Sequence, residues 1–105
     1  MSKCKITVVR TDMFEDLIRR YCTPEETVPC KVFHVGDTFL LDREDYFTLT
    51  TPPGRFCAEA WQAISQYVFT LLQDQDISWM HNGTMLACCN DGARPVVFLL
   101  ERIPD

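Results

Sequence analysis

Thr84-Met-Leu-Ala-Cys-Cys-Asn-Asp-Gly-Ala-Arg-Pro-Val-Val-Phe-Leu-Leu-Glu-Arg-Ile103 is the stretch on which the fold turns. Thr84 to Cys89 and Val96 to Ile103 are two apolar runs of strand length. Asn90-Asp91-Gly92 between them is turn chemistry: Asn and Asp bond their own backbone, and Gly tolerates tight geometry. The stretch therefore predicts an antiparallel pair. Both faces of the pair are apolar, which places it centrally in a sheet.

Working outward, Asn82-Gly83 is a tight-turn signal ahead of the first strand. Phe56 to Leu72 predicts the main helix, with Cys57, Ala60, Trp61, Ile64, Val68 and Leu71 as its buried stripe. Pro52-Pro53-Gly54 breaks the chain before it. Arg43 to Gly54 has no clear period beyond a short strand near Tyr46 to Leu49, and reads as a lid or binding loop. Cys30 to Asp42 predicts two strands around Gly36-Asp37. Asp12 and Glu15 have capping-box spacing. They open a helix carrying Met13, Phe14, Leu17, Ile18 and Tyr21, which Pro24 and Glu25-Glu26 end. Cys4 to Arg10 alternates with period two, as a strand with one buried face does. The expectation is one α+β domain over residues 1–105, with two helices packed on a small, mostly antiparallel sheet in the order β-α-β-β-α-β-β.

A chain of 105 residues supports one core and not two. Its net charge of −5, without a basic cluster beyond Arg19-Arg20, argues against nucleic acid as a partner. No apolar run approaches the roughly 20 residues that span a bilayer, so no membrane association is expected. No secretory segment is visible, and a cytoplasmic location is expected. There, six cysteines (Cys4, Cys22, Cys30, Cys57, Cys88 and Cys89) remain thiols. They are buried small hydrophobes, metal ligands or reactive groups, and packing is the commonest role. Without Cys-x-x-Cys or paired His spacing, no metal set is assigned and no cofactor is named.

The run Gly83 to Arg102, with Cys4-Lys5-Ile6, Val35-Gly36-Asp37 and Gly54-Arg-Phe-Cys57, resembles a family of small cysteine-containing repeat proteins found largely in anaerobic bacteria. Nearly the whole chain is covered, and Cys-x-Asp-Gly-x-Arg-Pro-Val, here Cys89 to Val96, is the most specific part. The resemblance implies shared positions at Cys4, Cys57, Cys89, Asp91, Arg94 and Pro95, and no assigned reaction.

Two functions remain open. In the first, a small anionic ligand sits between the helix opening at Cys57 and the hairpin turn. Cys89, Asp91 and His81 are the candidate catalytic groups, while Arg94, Trp79 and Cys57 are the candidate ligand contacts. A thiol beside a guanidinium is activated, and the planar fork of Arg grips carboxylates. The plainer reading of the same residues is structural, with Arg94 paired to Asp91 and Cys89 in the core. In the second, the chain is a non-enzymatic module that self-associates into a homo-oligomer through Tyr46, Phe47, Trp79 and Met80. A metal-binding Cys/His protein is the remaining alternative. His34, before the Gly36-Asp37 turn, is a further titratable group.

Overall fold

The closing hairpin forms as its pattern requires. In the computed structural model, which describes residues 2–24, 28–48 and 51–104, β3 (Thr84–Cys88) pairs antiparallel with β4 (Val96–Ile103), Met85 opposite Leu100 and Ala87 opposite Phe98. β4 also pairs antiparallel with β1 (Lys3–Thr11), and β1 with β2 (Thr38–Leu41), in the order β2-β1-β4-β3. β4 is central, as its two apolar faces demand, whereas β3 is an edge. The helices are α1 (Glu15–Tyr21), α2 (Arg43–Thr48) and α3 (Ala58–Leu72). The class is therefore α+β with helices on an antiparallel sheet.

α3 lies across β1, β4 and β3. Its Ala60, Ile64, Val68, Leu71 and Leu72 meet Cys4, Ile6, Val8, Met85, Val96, Phe98 and Leu100, all buried. Trp61, expected in that stripe, is half-buried. The axis of the stripe runs through Ala60, Ile64 and Val68, which puts the indole on the flank, against Tyr46 and Phe56. At the far end, Arg102 Nη1 donates to the carbonyls of Leu71 (3.4 Å) and Gln75 (2.9 Å), and Nη2 to Asp76 Oδ1 (2.7 Å). The orphan carbonyls at the C-terminus of α3 thereby gain a cation.

Three local expectations change. α1 begins at Glu15, with Phe14 at its N-cap and no side-chain cap bond, so the Asp12–Glu15 box does not form. The backbone explains why: the Asp12 amide donates to Pro95 O and the Phe14 amide to Ala93 O, keeping this stretch paired to the entry of β4. Asp12 Oδ1 accepts instead from the Met13 amide. Second, the arm before Gly36-Asp37 is irregular, so the first of the two strands expected between Cys30 and Asp42 is missing. Phe33 draws it inward. That ring is 2% exposed and makes edge contacts with Phe56 (4.9 Å), Phe98 (5.1 Å) and Phe39 (6.2 Å). The turn itself stands, with Gly36 at φ +98°, where a side chain would be strained. Third, Arg43–Thr48 is helical where a short strand near Tyr46 was expected. The Asp42 and Asp45 carboxylates each accept the other's amide, a reciprocal cap. Leu49 and the Glu25-Glu26 stop signal lie outside the described residues.

Only one face of the sheet is covered by α3. On the other face Leu40 and Leu86 are half-exposed, beside Lys5, Thr7, Val97 and Leu99. Among the described residues no helix is long and apolar enough to cross a membrane.

Candidate functional site

The β3–β4 turn is built by Asp91. Its Oδ1 accepts the amides of Ala93 (2.9 Å) and Arg94 (3.1 Å), and its Oδ2 lies 3.2 Å from Arg94 Nη2. Burial works against that carboxylate's charge, but the two amides and the guanidinium outweigh it and hold the group below the usual carboxylate range. At the strand mouth the Cys89 amide donates to Val96 O (3.1 Å), and the Val96 amide donates to Cys89 Sγ (3.4 Å). Arg94 Nη1 donates to Val28 O (3.3 Å). Pro95 restricts Arg94 to an extended backbone, so these contacts fix the direction of its side chain. The structural pairing of Arg94 with Asp91 is thus present.

The turn also meets α3. Asn90 Nδ2 donates to the Glu59 carbonyl (3.1 Å) and approaches Glu59 Oε1 (3.4 Å). Cys57 is the N-cap of α3 and its side chain makes no cap bond. The first intrahelical bond runs from the Trp61 amide to Cys57 O. The amides before it have no acceptor within the helix. Between this helix end and the turn lies a cavity of about 240 Å³, bordered by Cys30, Cys57, Cys89, Asp91 and Arg94, with Phe33 in its wall.

The structure therefore brings Cys57, Cys89, Asp91 and Arg94 to one place. His81 and Trp79 stand apart. Both are exposed and precede β3, whereas Cys89 follows it. A five-residue strand separates them, roughly 17 Å of extended chain. His34 is exposed beside Asp37 at 3.9 Å, also outside the cavity. Tyr46 stacks on Phe69 at 5.0 Å and so belongs to the aromatic packing rather than to the site.

Cys30 joins the site without having been a candidate. The irregular arm held by Phe33 delivers it, and spacing along a strand does not reveal such a placement. The other thiols divide by surroundings. Cys4 is fully buried, and burial pushes its thiol up to about 12. Cys88 sits on the outer face, where partial burial and the neighbouring Cys89 raise its thiol. The expectation of mostly buried cysteines is corrected, since Cys22, Cys30, Cys57 and Cys89 are intermediate. Among the described residues no three His, Cys, Asp or Glu side chains are disposed to hold a metal ion. No family model, curated protein or solved structure matches this chain, so geometry carries the functional argument.

Proposed function

We propose that this domain binds a small anionic molecule in the pocket between α3 and the β3–β4 turn and presents it to the pocket thiols. The observation that carries the reading is that one cavity is bordered by three thiols and by Arg94. Its volume, about 240 Å³, is below the ~300–1,000 Å³ of ordinary ligand sites, so the ligand is small. A guanidinium suits a carboxylate through its planar fork, and the open end of α3 adds amides and a favourable dipole. A cytoplasmic, reducing setting fits six unpaired thiols.

Selective alkylation tests this. Iodoacetate and iodoacetamide deliver the same electrophile with and without a carboxylate. Peptide mapping should find iodoacetate favoured at Cys30, Cys57 or Cys89 relative to Cys22, and the preference reduced in Arg94→Lys. Small carboxylates should protect the same thiols and raise the melting temperature of the wild type only. Equal reagent preference, with no protection by any carboxylate or phosphate, would remove the anion site.

Self-association is the second reading, supported by the uncovered sheet face. Four strands ~4.8 Å apart and about six residues long present roughly 400 Å², half of the ~800 Å² per partner typical of a stable interface. That shortfall places it second. Sedimentation of wild type and Leu86→Lys should give one monomer mass for both; a wild-type dimer lost on substitution would reverse the ranking.

A further inference from the structure

We infer that the pocket's substrate is the disulfide of a small aminothiol bearing an α-amino carboxylate, and that Cys57 and Cys89 reduce it. The inference rests on reading the pocket as a thiol-dependent site and names what enters it. The thiols come first. Asn90, next to Cys89, bonds the backbone of Glu59 in the first turn of α3, two residues from Cys57. The two cysteines therefore border one small cavity. Cys57 Sγ is not spent on capping the helix. Cys89 Sγ is held in place by the Val96 amide. Neither is in a disulfide.

Charge then selects the substrate. Both Asp91 oxygens are committed, one to two amides and one to Arg94. Glu59 also lines the cavity, and its Oε1 receives a long 3.4 Å contact from Asn90. The lining thus holds both a guanidinium, itself bonded to Asp91 and Val28, and a carboxylate, the two charges that complement the carboxylate and the ammonium of an α-amino acid. Phe33, Ala60 and Val96 give sulfur an apolar wall. At ~30 Å³ per liquid water, the cavity has room on the order of eight waters, enough for one half of such a disulfide.

The reaction balances without another oxidant. Cys57 loses its proton and attacks one substrate sulfur; the first aminothiol departs and takes up a proton, leaving a mixed disulfide on Cys57. Cys89 loses its proton, attacks the Cys57 sulfur, and the second aminothiol departs protonated. Two protein thiols are oxidised and one substrate disulfide becomes two thiols.

The test treats the reduced full chain with cystine, cystamine or dithiodiglycolate, which are zwitterionic, cationic and anionic disulfides. Intact mass and peptide mapping follow the products. Cystine should react fastest and leave a Cys57–Cys89 link. Cys89→Ser should stall with one half of the reagent on Cys57. Cys57→Ser should give neither product, and Cys88→Ser should behave as wild type. Arg94→Lys and Glu59→Gln, checked for folding by thermal melts, should slow cystine by about tenfold, the order of one charge-assisted hydrogen bond. If no reagent forms the link, the dithiol chemistry is overturned, while anion binding is judged separately by the alkylation ratios. A link formed at equal rates by all three overturns the substrate class. A link that excludes Cys89 overturns its assigned role.

Discussion

Phe33→Leu probes the device that brings Cys30 to the site. The arm ahead of Gly36 has no strand ladder to hold it, and Phe33 is its buried anchor, 2% exposed. Leu keeps most of the apolar volume and removes the ring contacts to Phe56, Phe98 and Phe39. Each aromatic pair contributes about 0.5–1.5 kcal/mol beyond its buried area. Three such pairs, partly offset by repacking of Leu, give an expected loss of about 2 kcal/mol. For a domain near 100 residues that lowers the melting temperature by roughly 8–16 °C. Urea unfolding followed by circular dichroism measures the loss. Alkylation in native buffer measures the local effect: Cys30 should react faster in the variant while Cys4 stays silent. A loss below about 0.5 kcal/mol with Cys30 unchanged would refute the reasoning, because the arm would then be held by its turn alone. Combining Phe33→Leu with Phe56→Leu should cost less than the sum of the single changes, since the two rings share one contact.

Cys4 makes stability fall in alkali: its folded value of about 12 lies above its ordinary 9.0, so its contribution is complete below pH 9 and is lost as pH rises toward 12. Urea midpoints above pH 9 should decline more steeply in wild type than in Cys4→Ala. Asp76 works in the opposite direction, because the Arg102 hydrogen bond first, then the Gly83 amide, hold its carboxyl below the usual range. Its stabilisation is present above the ordinary carboxylate value and is lost in acid, so the melting deficit of Arg102→Met should narrow as the pH falls through that range. Trp61→Ala should cost less than the ~3–5 kcal/mol of a fully buried aromatic truncation, because the indole lies on the flank of α3; a full-size loss in chemical denaturation would restore it to the core.

Periodicity was informative wherever one rigid element met one core. Cys4, Ile6 and Val8 alternate because β1 buries one face, and Ala60, Ile64 and Val68 recur because α3 lies flat on that sheet. Periodicity failed where a single side chain redirected the backbone. Val32 and Phe33 precede a turn, as the end of a hairpin strand does, yet the phenyl ring gains more by entering the core than the arm gains from edge pairing. The same limit hid α2. Asp42 and Asp45 carry the capping signal, but six residues are too few for an amphipathic period to emerge.

The site divides along the same line. Cys89, Asp91 and Arg94 belong to one local turn, so their proximity follows from short-range chemistry, and Pro95 restricts the approach to the strand. Cys57 was placed by the start of the helix, a boundary signalled by Pro52-Pro53-Gly54. His81 and Trp79 are candidates because they share a loop outside any helix or strand pattern, and the length of β3 carries them away from the pocket. Cys30 has the opposite history, because it reaches the cavity through the arm that Phe33 anchors. Cys57, Cys89, Asp91 and Arg94 border the pocket, while Cys4 and Pro95 are buried. Packing alone accounts for the last two. The half-buried thiols and the cation instead border a pocket partly open to solvent, where packing demands neither group. The pocket that three thiols and Arg94 border is the feature that the alkylation and disulfide experiments address.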